Sequence, residues 1–174
     1  AGRKYIQIIK HKNYNPRIIE YSTQKMNYEN VLPSQYVEFI FRKLENPKDV
    51  WADEFRNRLE DVDRIMMNTL YSLTNTTVKN KYLEKAFNKR VRSCKHIDSS
   101  INVFDDVIFR LTKSLLKNTY ERDILNIGVI NPSVNDYIHF TISNNINERI
   151  SIIESAEYIE QIKYEYTIIE DCGM

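Results

Sequence analysis

The chain has 174 residues, with 25 Lys and Arg against 24 Asp and Glu and a formal net charge of +1. That length is one or two small domains with room for a real core, and the balanced charge gives no global pull toward nucleic acid or an anionic membrane. Three glycines in the whole chain exclude the phosphate-cradling patterns G-x-x-x-x-G-K-[ST] and G-x-G-x-x-G, and no apolar run approaches the roughly 18–20 residues of a membrane span.

The first periodic segment is "RKYIQIIK" at residues 3–10, with Tyr5, Ile8 and Ile9 at helical spacing. It stops at "HKNYN", and Asn15 followed by Pro16 reads as an N-cap and first residue of a second helix through Ile18, Ile19 and Tyr21. Residues 26–33 read as a loop, Ser34 as the cap of a helix presenting Tyr36, Phe39, Ile40 and Leu44, and Pro47 as its end. "DVWADEFRNRL" follows, with Trp51, Phe55 and Leu59 four residues apart.

From residue 60 the pattern becomes more compact. One helix aligns Val62, Ile65, Met66, Leu70 and Leu73, with acids at its dipole-favoured N-terminal end. "TNTT" reads as a loop, and the next helix aligns Leu83, Ala86, Phe87 and Val91. A third carries Ile101, Phe104, Val107, Ile108, Leu111 and Leu115. "LLKNTYERDILNIGVIN" reads as two short strands around a polar turn. Three helices and then a hairpin is the order of a winged helix. Another helix starts at Pro132, and "NERISIIESAEYIEQIKYEYTII" gives one or two more, which could open a helical repeat array. The expected fold is mainly α: a helical lid-like segment at 1–58, a winged helix at 59–145 and C-terminal helices at 146–174.

Candidate chemistry is sparse. His11, His96 and His139 are far apart, and Cys94-Lys95-His96 is too short a cluster for zinc without partners. No G-x-S-x-G context supports a hydrolytic triad. Two distant cysteines, Cys94 and Cys172, fit a reduced, cytoplasmic protein. There is no signal peptide and no initiator methionine, so the start at Ala1 is read as a cut from a longer protein.

The basic stretch Lys79, Lys81, Lys85, Lys89, Arg90, Arg92 and Lys95 reads first as a solvated face, with a protein partner or a DNA or RNA contact as the alternatives. Against the contact, Asp105 and Asp106 sit in the third helix, which would meet phosphate. Arg17 is different. A cation in the first turn of a helix opposes the dipole unless an anion lies near, and a helix N-terminus can bind phosphate.

"NYNPRIIEY", then helices, then a winged helix closing with "GVINPSVNDYI", resembles the segment that follows the P-loop core of STAND-type NTPases. The likeness is greatest to the bacterial novel STAND proteins, many of which act in antiphage defence. It covers roughly residues 3–145 and rests on element order and two short motifs. It implies a non-catalytic regulatory segment that closes over ATP or ADP with Mg held by an upstream P-loop domain and gates homo-oligomerisation. It places Asn15, Pro16 and Arg17 in a lid motif, with Arg17 a sensor toward the terminal phosphate. It places Asn131 where eukaryotic relatives carry a histidine on the ADP β-phosphate, and Pro132 where the plant proteins have an acid. An asparagine there would hydrogen-bond without charge. The alternatives are a winged-helix nucleic-acid-binding regulator and a structural adaptor.

Overall fold

The computed structural model describes residues 4–98, 100–112 and 114–162. Cys172 and the end of the last expected helices lie outside them. The chain is mainly helical with a small three-stranded antiparallel sheet, a helical plus winged-helix-like fold. Among the described residues no helix is long and apolar enough to cross a membrane. Two compact units are present, residues 1–58 and residues 59–174.

In the first unit, α1 (Lys4–Ile9) buries none of its residues, so Tyr5 and Ile9 do not form the apolar face their spacing predicts. α2 spans Pro16–Thr23. The expected loop at 26–33 contains a one-turn helix, α3 (Lys25–Tyr28). Ser34 is not a cap: it lies inside a 3-10 turn, Pro33–Gln35, that leads into α4 (Tyr36–Glu45). α5 (Lys48–Asp53) runs into a π-helical turn at Glu54–Arg58. Ile18, Leu44, Val50 and Trp51 form the centre of this unit's core.

The second unit begins with α6 (Asp61–Leu73), where the Asp63 carboxylate accepts the Glu60 N–H at 3.1 Å and so satisfies one free donor of the helix start. A strand absent from the sequence reading follows, β1 (Thr77–Lys79), then α7 (Asn80–Ser93). α8 is Phe104–Thr112. It starts later than its apolar pattern predicts because the Asn102 side chain accepts the Phe104 N–H, and Ile101 is left exposed. β2 (Leu116–Glu121) and β3 (Ile124–Val129) form the expected hairpin, closed by Arg122 and Asp123 at φ 51° and 63°. Two successive positive φ values make the tight turn whose twist matches paired strands.

The sheet order is β1-β3-β2, so the hairpin's second strand is central. Val78 pairs with Ile127 and Asn118 pairs with Ile127 from the other side. Met66, Met67, Leu70, Leu83, Phe87, Phe104, Val107, Leu111, Leu116 and Ile127 fill the core between the three helices and the sheet.

α9 (Pro132–Ser143) and α10 (Ile146–Glu154) complete the second unit. The C-terminal helices expected as a separate segment thus belong, as far as residue 162, to the same unit as the winged helix. Arg90 on α7, 2% exposed, pairs with Glu148 of α10, whose Oε1 also accepts from Asn68 at 2.6 Å. Gln161 is buried and donates to Ser72 Oγ at 3.0 Å.

Candidate functional site

The start of α2 is built by a short local code. Asn15 is extended, at φ −145° and ψ 131°, and its Oδ1 accepts the Arg17 N–H at 2.8 Å. Pro16 supplies a preset φ where no N–H is needed. Arg17 is thereby fixed in the first turn, with its side chain 32% exposed.

The guanidinium is not alone. Arg17 Nη1 lies 2.8 Å from Glu20 Oε2, and Arg17 Nε lies 3.5 Å from Glu54 Oε1. Arg58 meets the same two carboxylates: its Nη1 is 2.9 Å from Glu20 Oε1, and its Nε is 3.7 Å from Glu54 Oε2. Asp53 Oδ2 is 3.6 Å from the same Nε. The anion that the dipole argument sought for Arg17 is therefore supplied by the chain itself, as two carboxylates.

Those carboxylates differ. The Glu54 side chain is 5% exposed, and burial pushes its carboxyl up while Arg17 and Arg58 pull it back down. The Glu20 side chain is 49% exposed, and its hydrogen bond to Arg58 holds its carboxyl below the ordinary glutamate range. An exposed ion pair contributes roughly 0.2–1 kcal/mol. Removing the partners of a buried charge costs about 3–5 kcal/mol. Glu54 is thus the fixed member of the cluster and Glu20 the exchangeable one. Glu54 and Arg58 both lie in the π-helical turn, Glu54 buried and Arg58 at i,i+4 from it.

Asn131 sits at the start of α9 in the second unit. Its Oδ1 accepts the Ser133 N–H at 3.0 Å and the Ser133 hydroxyl at 2.9 Å. It is buried and extended, a cap of the same form as Asn15. Asn15, Pro16 and Arg17 belong to residues 1–58 and Asn131 to residues 59–174.

The basic stretch does not form one free face. Arg90 is buried against Glu148. Lys85 and Lys89 both reach Glu157, at 2.6 and 3.4 Å, and Lys89 also donates to the Ala156 carbonyl at 2.6 Å. Lys79, Lys81, Arg92 and Lys95 are exposed, with Lys81 over the Tyr82 ring. On α8, Asp105 and Asp106 are exposed in the first turn, and Arg110 is bound to Asp63.

Sequence reasoning missed Glu20, Glu54 and Arg58. The available signals were spacings: Arg17 to Glu20 at i,i+3 and Glu54 to Arg58 at i,i+4. Nothing in the one-dimensional pattern joins the two pairs, which are 38 residues apart between Glu20 and Arg58. Compared with protein-family models, curated proteins and solved structures, the chain matches none.

Proposed function

We propose that this chain is the lid and winged-helix segment of a bacterial STAND-type signal-transduction ATPase of the kind found in antiviral defence, acting in the cytoplasm. The observation that carries the reading is Arg17: an arginine fixed by an Asn-Pro cap in the first turn of a helix, one-third exposed, in a helical unit that precedes a winged-helix-like unit. In this reading the segment does no chemistry. An upstream P-loop domain of the same chain holds ATP or ADP with Mg. Arg17 reaches the terminal phosphate when the lid closes, and opening exposes surfaces for homo-oligomerisation, a two-state element biased by its ligand.

The test is ATP hydrolysis and ATP-driven assembly of the full-length protein. Arg17→Ala is expected to weaken both, and unchanged activity and assembly would sink the sensor role. Residues 1–174 alone are expected to show no measurable ATP affinity, and tight binding would move the site into this segment.

A further inference from the structure

We propose that Arg17 and Arg58 together form a two-arginine clamp for the terminal phosphoryl group of a polyphosphate, and that Glu20 is its built-in plug. This goes beyond a lone sensor arginine but rests on the reading that Arg17 faces a phosphate.

The geometry is that of an anion already bound. The two Glu20 oxygens are divided between the two arginines, Oε2 on Arg17 Nη1 at 2.8 Å and Oε1 on Arg58 Nη1 at 2.9 Å. Both arginines thus spend an outward Nη1 on one exposed carboxylate. A phosphoryl group offers three oxygens to the same tips, and the planar guanidinium fork suits it. On the inner side, Glu54 lies 3.5 Å from Arg17 Nε and 3.7 Å from Arg58 Nε, longer than a hydrogen bond. It holds the two cations side by side without occupying their tips. Asp53, beside Arg58 Nε at 3.6 Å, adds a third negative charge.

Charge then dictates when the clamp accepts an anion. With Glu20 in place, carboxylates outnumber arginines and the cluster repels any further anion. With Glu20 withdrawn, the two cations are balanced by Glu54 and Asp53, so a phosphoryl group is held by short hydrogen bonds to the two freed guanidinium tips rather than by net charge. In the resting arrangement the plug keeps the clamp shut, so the unchanged chain is expected to bind polyphosphate weakly.

The experiment follows the Nε–Hε resonances of Arg17 and Arg58 in the nitrogen-15-labelled 174-residue chain during titration with inorganic triphosphate. Glu20→Gln is expected to bind at least roughly tenfold more tightly than the unchanged chain, with both arginine signals moving. Adding Arg58→Ala, or the gentler Arg58→Lys, which keeps a cation over Glu54 without the fork, is expected to abolish that gain. No gain with Glu20→Gln, or a gain that survives both Arg58 variants, would overturn the proposal. This readout needs no nucleotide-binding domain. If the gain is present but Arg17 leaves assembly of the full protein untouched, the clamp stands and the proposed function falls. If Arg17 governs assembly and the gain is absent, the clamp falls and the function stands.

Discussion

The Asp63 carboxylate on α6 holds the Arg110 guanidinium of α8 from the side: Arg110 Nη2 is 2.6 Å from Oδ1, and Nε is 3.1 Å from both oxygens. Asp63 is almost wholly buried and also closes the start of α6 through the Glu60 N–H. It ties two helices of the winged-helix-like unit with one carboxylate. Arg110→Ala leaves that carboxylate inside without its cation, and is expected to lower stability to denaturant by about 3 kcal/mol. The double variant Asp63→Asn/Arg110→Ala should cost clearly less than the two single changes added together, because they share one partner. Additive losses would show that the pair is not coupled.

At Gly128, β3 leaves no room for a side chain against the start of β1. A Cβ there would collide with the Thr76 carbonyl oxygen and lie 2.8 Å from Thr77 Cγ2, both beside a short strand. Gly128→Ala must push β1 away, with an expected loss of about 1–3 kcal/mol. Faster hydrogen exchange confined to residues 77–79 and their partners on β3 would trace the loss to that strand. Unchanged exchange there would refute the close approach.

Glu54 sets a pH dependence of known sign. Its carboxyl is raised in the folded state by burial, so folding favours its protonated form. Its contribution to stability is fully present below the ordinary glutamate value and is lost as pH rises through the raised one. Unfolding midpoints of the native chain and of Glu54→Gln, compared from pH 7 downward, should separate in favour of the native chain as pH falls. A separation that shrinks with falling pH would contradict the burial effect.

The two asparagine caps predict matched behaviour. Asn15→Ala and Asn131→Ala should each cost about 1 kcal/mol, and Ser or Asp at either position should restore most of it. If Asn131 does no more than cap α9, rescue by Ser will extend to every property of the full protein. A nucleotide response lost in Asn131→Ser while stability is kept would assign the amide a second role.

Binding to duplex DNA should be absent at physiological salt. Of the seven basic residues that could form a contact, Lys85, Lys89 and Arg90 are engaged with Glu157 and Glu148, and α8 leads with two acids. Affinity that falls steeply with salt and disappears when Lys79, Lys81, Arg92 and Lys95 are reversed in charge would favour the nucleic-acid alternative.

The helices of the second unit were legible because Met66, Leu70, Leu83, Phe87, Val107 and Leu111 repeat at 3.6-residue spacing and are buried for that reason. The hairpin was legible from its β-forming runs and polar turn. β1 was not: three residues are too few to show an alternation, and its pairing with β3 is decided about 50 residues further along the chain. Tyr5 and Ile9 misled in the opposite sense, since periodicity marks an apolar face without saying that anything covers it. At the candidate site, the caps at Asn15 and Asn131 were readable from two residues each. Around Arg17, Glu20 lies at an ordinary i,i+3 spacing, but Glu54 and Arg58 come from a π-helical turn far along the chain that no local spacing joins to it.

Arg90 brings a mechanical consequence. Its Nε and Nη1 are buried with no hydrogen-bond partner among the described residues, and Glu148 supplies the anion its Nη2 meets. Lifting α10 by a fraction of a turn would strand a guanidinium in the interior, and the penalty falls only once that side chain swings fully into water. The junction between α7 and α10 therefore behaves as a snap fastener rather than a zip. It resists small tugs, because a partial opening leaves the guanidinium buried without its anion.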